Sequence, residues 1–206
     1  AQKLLDQINA DVAEVNRQLD TENAEWAAIG AEIDRKQKQL EEQRRQNNIT
    51  IDSETSYLWP LPGYYRLSSL FGYRIHPITG EAHSHTGIDV AASTGTPIYP
   101  ARGGQVIMSE YGTGVNWSYG NFVVIDHGDG TTTLYAHMSS RAVSEGQMVS
   151  QGQTIGAVGD TALLEVGSAP HLHFEVTENG VRVNPLSHGA EPRMGYLSGY
   201  TLSGSA

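Results

Sequence analysis

The feature of this 206-residue sequence that most constrains its fold is an apolar ladder in residues 1–48. This stretch contains no proline and one glycine, Gly30, and it is rich in alanine, glutamate, glutamine, lysine and arginine. Its large apolar residues recur at spacings of three and four, interrupted at Glu22 and Lys36: Leu5, Ile8, Val12, Val15, Leu19, Trp26, Ile29, Ile33 and Leu40. The spacing is that of a heptad seam and predicts a coiled-coil helix over 1–48.

This seam has two interpretations. A narrow seam of this length favours partner helices, from a second chain or from sequence upstream of residue 1. The alternative is an amphipathic helix that packs along its own domain. At ~1.5 Å per residue the helix would reach roughly 60–70 Å, long enough to tether, to dimerise, or to inhibit the following domain by covering its groove.

Beyond the helix the composition changes. Residues 49–62 are polar and then proline-bearing, which predicts a linker. From 63 to 188, short β-branched and aromatic runs alternate with turn signals such as Asp129-Gly130, and they predict antiparallel strands. Residues 189–206 carry little pattern and are predicted to be a C-terminal tail. The expected fold class is therefore mainly β, a compact antiparallel β-sheet domain preceded by a long α-helical coiled-coil segment.

The charge balance and the lack of cysteine narrow the possible partners. The chain has 13 Lys and Arg against 23 Asp and Glu, a formal net charge of −10, which argues against nucleic acid and against an anionic membrane surface. Without cysteine, any metal site must use nitrogen and oxygen ligands. No apolar run approaches the ~18 residues that span a bilayer, and no signal peptide is visible.

Two short motifs place ionisable residues at sequence spacings that can bring their side chains together. In "APHLHFEV", His171 and His173 share one face of a predicted strand, while Leu172 and Phe174 face the other way. In "HSHTGIDVAA", a histidine at position 85 precedes an aspartate at position 89 by four residues. Each pattern alone is weak evidence for a site.

A third motif supplies another histidine. In "TTTLYAHMSS", strand alternation predicts that His137 shares a face with Thr133 and Tyr135, opposite Leu134 and Ala136. Three separate segments could thus deliver imidazole or carboxylate groups to one place. A metal site assembled from distant parts of a chain requires such an arrangement.

Taken together, these segments resemble the lysostaphin-type, LytM-like zinc endopeptidases of bacterial cell walls, the duplicated hybrid motif family. The resemblance is carried by "FGYRIHPITGEAHSHTGIDVAASTGTPIYPARGGQVI", "GNFVVIDHGDGTTTLYAHMS", "EGQMVSQGQTIGAVGDT" and "APHLHFEV", and covers roughly residues 63–186. The order H-x-x-x-D, Y-x-H, H-x-H is specific as a set. The preceding helix is similar to the coiled coils of murein hydrolase activator-like proteins.

The resemblance implies a zinc site and two catalytic histidines. One Zn²⁺ per chain would be bound by His85, Asp89 and His173, with a fourth position open to water. His171 would act as general base, and His137 would hydrogen-bond the oxyanion or share the proton transfer. The roles of His137 and His171 could also be exchanged.

The resemblance also suggests residues around this site. Asn121 would contact substrate, and Arg74 and His76 lead toward the groove, although structural roles in their turn are an equal alternative. Glu175 shares the strand face of the two paired histidines and could support them. His127, in a hairpin turn, is expected to be solvated.

The function implied is hydrolysis of peptide crosslinks or stem peptides in peptidoglycan. The alternative is a non-catalytic LytM-like regulator that activates cell-wall amidases through its coiled coil. Degenerate modules have usually lost a site residue, whereas all five are present here. A metalloenzyme acting on small molecules is a third possibility. The expected location is the cell envelope, cell wall or exterior, with the export signal or anchor outside this sequence.

Overall fold

The computed structural model describes residues 2–48, 50–51, 56–75, 82–112, 118–161 and 169–188. In these ranges one long helix precedes twelve strands. The elements are α1 (Gln2–Asn47), β1 (Leu67–Ser69), β2 (Gly72–Ile75), β3 (Ala82–His85), β4 (Ile88–Ala91), β5 (Pro97–Ile98), β6 (Gly104–Tyr111), β7 (Asn121–Asp126), β8 (Thr131–Arg141), β9 (Met148–Val149), β10 (Gly156–Val158), β11 (His171–Glu178), β12 (Val181–Val183) and a 3-10 helix (Pro185–His188).

The strands pair antiparallel, as the sequence predicts. Ten of them form one sheet with the order β1-β4-β11-β8-β7-β6-β9, in which β12 pairs with β11 and β10 pairs with β5 and β8. Strands β2 and β3 form a separate hairpin. Strand β11 lies between β4 and β8, so segments distant in sequence meet in the middle of the sheet. The prediction of a mainly β domain preceded by a helix is confirmed.

One face of the sheet carries the main core. Its fully buried members include Ile125, Tyr135 and Phe174, which alternate along their strands with residues of the opposite face. Tyr57 and Leu61 also belong to this core, at 9% and 0% exposure. The predicted linker 49–62 is therefore too long at its C-terminal end, because residues from Tyr57 onward already pack into the domain.

The opposite face is covered by the C-terminal half of α1. Ile29 and Ile33, at 0% and 3% exposure, pack against a cluster formed by β6, β7 and β8. The members contributed by the sheet and its flanking turn are Ile107, Met108, Tyr119, Phe122, Val124, Leu134 and Ala136. Arg44 forms an ion pair with the fully buried Asp126, which fixes the end of the helix on the domain.

These contacts divide the heptad seam into two parts. Its C-terminal half packs on the sheet of its own chain, which is the second of the two sequence interpretations. Leu4, Leu5 and Ile8 are 66%, 51% and 47% exposed, so the first two turns of the helix leave their large apolar residues on the surface, whereas Val12 and Val15 are half-buried. The coiled coil is not confirmed, and a partner helix along this N-terminal half stays a prediction. None of the helices in the described ranges combines the length and the apolarity needed to cross a membrane.

Candidate metal centre

Neighbouring strands bring three predicted ligands together. His173 on β11 lies directly opposite Asp89 on β4 in the antiparallel ladder. His85 is the last residue of β3, four positions before Asp89. Opposite residues of an antiparallel pair project from the same face, so the side chains of His173 and Asp89 lie side by side. The end of β3 brings the His85 ring to the same place.

Their ligand atoms form a tight triangle. Nε2 of His85 lies 3.1 Å from Nδ1 of His173 and 3.2 Å from Oδ1 of Asp89. Nδ1 of His173 lies 2.9 Å from Oδ1 of Asp89. Tetrahedral ligand atoms about 2.0–2.1 Å from a zinc ion are separated by roughly 3.3 Å, so this triangle matches three corners of such a site.

The second nitrogen of each imidazole fixes its tautomer. Nδ1 of His85 donates to the carbonyl oxygen of Leu70 at 3.0 Å, and Nε2 of His173 donates to Oε1 of Glu175 at 3.0 Å. Once deprotonated, the remaining nitrogens would direct their lone pairs toward each other and toward a carboxylate. Such an arrangement of donors is repulsive until a positive charge lies between them, and ligating histidines are commonly oriented in this way.

The electrostatics favour a positive charge at the same point. Burial raises the pKa of Asp89, but hydrogen bonds from His173 and His85 outweigh it, and the pKa falls well below its usual range. Burial lowers the pKa of His173, but hydrogen bonds to Asp89 and Glu175 raise it to about 10 when no metal competes. The negative potential that holds a proton here also attracts a divalent cation, which would displace that proton.

Glu175 holds the ring of His173 in place through its Nε2, as the position of Glu175 on the same strand face suggests. The carboxylate is 1% exposed and accepts hydrogen bonds from Thr86 Oγ1 at 2.5 Å and from the Tyr119 hydroxyl at 2.7 Å. Nε of Arg182 donates to its other oxygen at 2.8 Å. Glu175 thus joins a potential metal ligand to three further elements of the domain.

The sequence motifs do not identify Thr86, Tyr119 or Arg182 as partners of Glu175, although a local signal for Arg182 exists. Asn179 and Gly180 have positive φ values of 48° and 79°, as in the two-residue hairpin turns that Asn-Gly favours. That turn pairs Arg182 with Thr177. Arg182 is thereby diagonal to Glu175 on the same face of the hairpin.

The two predicted catalytic histidines lie beside the triangle. The ring centroids of His137 and His171 are 4.8 Å apart, and those of His137 and His173 are 5.4 Å apart. Nδ1 of His171 donates to the carbonyl oxygen of Ala169 at 2.9 Å, while Nε2 points toward Asp89, 4.0 Å from its Oδ1. Both rings are close enough to the triangle to act on a group held there.

The strand face predicted for His137 is wrong. Asn121 pairs with Met138 and Val123 with Tyr135, so one residue of β7 faces two residues of β8. His137 itself has a φ of 62°, rare for a residue with a side chain. This β-bulge interrupts the alternation and turns His137 to the face of Ala136, which is also the face of the metal triangle.

The remaining predicted residues have mixed outcomes. Nδ2 of Asn121 donates to the carbonyl oxygen of Met138 at 3.0 Å and its Oδ1 accepts from Arg141 at 3.1 Å, so the amide braces the bulge next to His137. A contact between Asn121 and substrate stays a prediction. His76 lies outside the described residues, as does the side chain of Arg74.

The expectation that His127 is solvated is wrong. The ring is 0% exposed, with Nδ1 donating to the carbonyl oxygen of Gly103 at 2.8 Å and Nε2 accepting from Thr133 Oγ1 at 3.0 Å. It lies just before the hairpin turn, so the ring packs under the strand ends instead of extending into solvent.

Comparison with known proteins gives one consistent result. The chain is 45% identical over 124 residues to the DD-carboxypeptidase/endopeptidase Mpg of Neisseria meningitidis, covering 60% of this chain and 27% of that protein. The chain thus spans about a quarter of this curated relative.

Solved structures agree. A zinc containing peptidase from Vibrio cholerae matches with a TM-score of 0.56 and 34% identity, over 62% of this chain and 38% of the other. A mutant of the catalytic domain of the prophage-encoded M23 protein EnpA from Enterococcus faecalis matches with a TM-score of 0.52 and 31% identity, over 65% and 98%. The profile of peptidase family M23 matches residues 83–185, the part of the chain that carries the histidine and aspartate triangle, and the chain belongs to that family.

Proposed function

We propose that this chain is a zinc metallopeptidase that hydrolyses peptide bonds in bacterial peptidoglycan. The observation that carries the proposal is the triangle of His85 Nε2, Asp89 Oδ1 and His173 Nδ1, three potential ligand atoms that lie within 4.8 Å of one another. Two relatives support it by name, one as a DD-carboxypeptidase/endopeptidase and one as a zinc containing peptidase. Because peptidoglycan lies outside the cytoplasmic membrane, the expected site of action is the cell envelope.

The donor set fits zinc. Two imidazole nitrogens and one carboxylate oxygen are the ligand types of catalytic zinc sites, which keep one position open. When bound, zinc supplies a Lewis acid that polarises a carbonyl group and lowers the pKa of water toward ~7. His85, Asp89 and His173 would hold one ion per chain, with Glu175 and the Leu70 carbonyl fixing the two rings.

The two further histidines carry the proton chemistry in this proposal. His171 donates from Nδ1 to a backbone carbonyl, which leaves Nε2 as the basic atom on the side of the triangle. That nitrogen would take a proton from the attacking water and deliver it to the leaving amine. His137, held at the bulge, would donate a hydrogen bond to the carbonyl oxygen as negative charge develops on it.

The alternative of a non-catalytic regulator gains no support from the site. A regulator has no need of an intact ligand set, whereas here the three potential ligands converge and both further histidines lie beside them. The exposed N-terminal part of α1 could still bind a partner helix in a hydrolase.

The first test is release of peptides from purified sacculi by the full chain, with zinc removed by a chelator and then restored. Activity should disappear and return. His171→Gln should bind zinc as the wild type does, yet lose roughly 10²–10⁴-fold in rate, because proton transfer contributes about that much. Absence of peptide release at every zinc concentration would refute the proposal.

A further inference from the structure

The only glycine of the first 48 residues, Gly30, lies inside α1 where the helix meets the hairpin of β11 and β12. An added Cβ at Gly30 would lie 3.3 Å from Nη1 of Arg182, closer than ordinary van der Waals contact. Glycine inside a helix is about 1 kcal/mol less favourable than alanine. The guanidinium therefore occupies the space that a side chain at this position would fill.

Arg182 connects the helix to the metal triangle. Nη2 donates to the carbonyl oxygen of Trp26 at 2.9 Å, one helical turn before Gly30, while Nε donates to Oε2 of Glu175 at 2.8 Å. Oε1 of Glu175 in turn accepts from Nε2 of His173. An uninterrupted series of hydrogen bonds thus runs from the backbone of α1 to a potential metal ligand.

A second route joins the same two places. Oε2 of the buried Glu25 in α1 accepts from the backbone N–H of Ser118 at 3.2 Å. The next residue, Tyr119, donates its hydroxyl to Glu175 at 2.7 Å, and its ring lies edge-on to His173 with centroids 5.7 Å apart. Both Arg182 and Tyr119 are therefore held at the helix as well as at Glu175.

The charges explain why this support matters. Glu175 is a buried carboxylate, and such a group is stable only with a compensating charge and complete hydrogen bonding. Burial raises its pKa, but the charge of Arg182 and the hydrogen bond from His173 outweigh that and lower it. Any displacement of Arg182 would free Glu175 to move, and with it the ring of His173.

We propose that Arg182 is a positioning residue of the metal site and that α1, through the gap at Gly30, holds it in place. The inference rests on the proposed zinc site and assigns a role to the helix that differs from tethering or inhibition. Docking of α1 on the domain therefore contributes to the affinity of the site for zinc.

The test compares four proteins that comprise residues 1–206: wild type, Gly30→Leu, Arg182→Lys and the control Ala31→Leu, which adds the same side chain at an exposed position of α1. Lysine keeps the positive charge but cannot contact Glu175 and the Trp26 carbonyl together. Zinc affinity is measured by competition with a chromophoric chelator, and the visible spectrum of the Co²⁺-loaded protein reports the ligand geometry. Circular dichroism checks folding at the same temperature.

We expect Gly30→Leu and Arg182→Lys to weaken zinc binding roughly tenfold and to shift the Co²⁺ spectrum, since loss of outer support costs about that much. Ala31→Leu should match the wild type. Gly30→Ala, which adds one carbon atom and favours the helix, repeats the test with a smaller expected loss if leucine prevents folding.

Equal affinities and spectra in folded variants would overturn the inference while leaving the proposed function intact. Faster peptide release by Gly30→Leu at unchanged zinc affinity would also overturn it, in favour of inhibition by α1. Wild-type protein that binds neither zinc nor Co²⁺ would refute the proposed function as well.

Discussion

His127 and His173 are both buried, at 0% and 3% exposure, and both have each ring nitrogen within hydrogen-bonding distance of a partner. Their pKa values nevertheless move in opposite directions. Burial lowers the pKa of His127 to about 4, against a weaker opposing hydrogen bond to the Gly103 carbonyl. Burial also disfavours the charged form of His173, but Asp89 and Glu175 raise its pKa to about 10.

The difference shows that the hydrogen-bonding partners, and not burial itself, decide whether a buried histidine is neutral or positively charged. His127 bonds to a carbonyl and to the hydroxyl of Thr133, so the neutral ring satisfies both and joins two strand ends. His173 lies between two carboxylates, which stabilise a positive charge on the ring or on a bound cation. The first environment suits a structural residue and the second suits the proposed metal ligand.

The largest expected contrast is in zinc binding. His173→Gln removes one of three potential ligands and should weaken zinc affinity on the order of 10³-fold or more, with loss of peptide release. His127→Gln should bind zinc as the wild type does, because its ring lies outside the triangle. Chelator competition on both purified variants decides this, and equal losses would remove the distinction between the two histidines.

A second contrast lies in acid stability. The pKa of His127 is lower in the folded state, about 4, than the ~6.5 of an unfolded chain, so between these pH values only the unfolded state takes up the proton. The contribution of His127 to stability should therefore be constant above pH ~6.5 and fall by about 2–3 kcal/mol as pH drops from there to 4.

The control for this prediction is His127→Gln, which lacks the titrating ring. Arg102, Asp126 and Asp129, the charged groups that act on His127, remain in both proteins. Urea unfolding of metal-free protein at several pH values should give a flatter profile for the variant. Parallel profiles would show that another group causes the acid loss.

The smallest effect comes from giving His173 a neutral partner of the kind that His127 has. Glu175→Gln should weaken zinc binding about tenfold, because the amide is a poorer acceptor for the ring N–H that fixes the tautomer. Thr133→Val, which removes the hydroxyl partner of His127, should leave zinc affinity unchanged and cost about 1 kcal/mol of stability. Chelator titration and thermal unfolding of both variants test the pair.

Features that depend on local spacing could be predicted from the sequence. The two-residue period of β11 places His171 and His173 on one face with Leu172 and Phe174 on the other, and the structure agrees. The short step from His85 to Asp89 likewise brings both residues to the same edge of the site.

Features that depend on distant parts of the chain could not be predicted in this way. The heptad seam shows which face of α1 is apolar, but a sheet and a partner helix offer that face the same kind of surface. The bulge at His137 arises from the pairing of β7 with β8 and leaves no mark on the alternation of β8 itself. The turn residues next to His127 predict a solvated ring, but contacts with Gly103 and Thr133 hold it inside the domain.

The bulge has a consequence for anyone who transfers this site to another scaffold. Copying the histidines and the aspartate at their spacing onto a regular ladder would send the His137 ring into the apolar interior beside Tyr135. The bulge on β8 must therefore be transplanted together with the functional groups, because a regular strand with the same spacing would turn one of them away from the others.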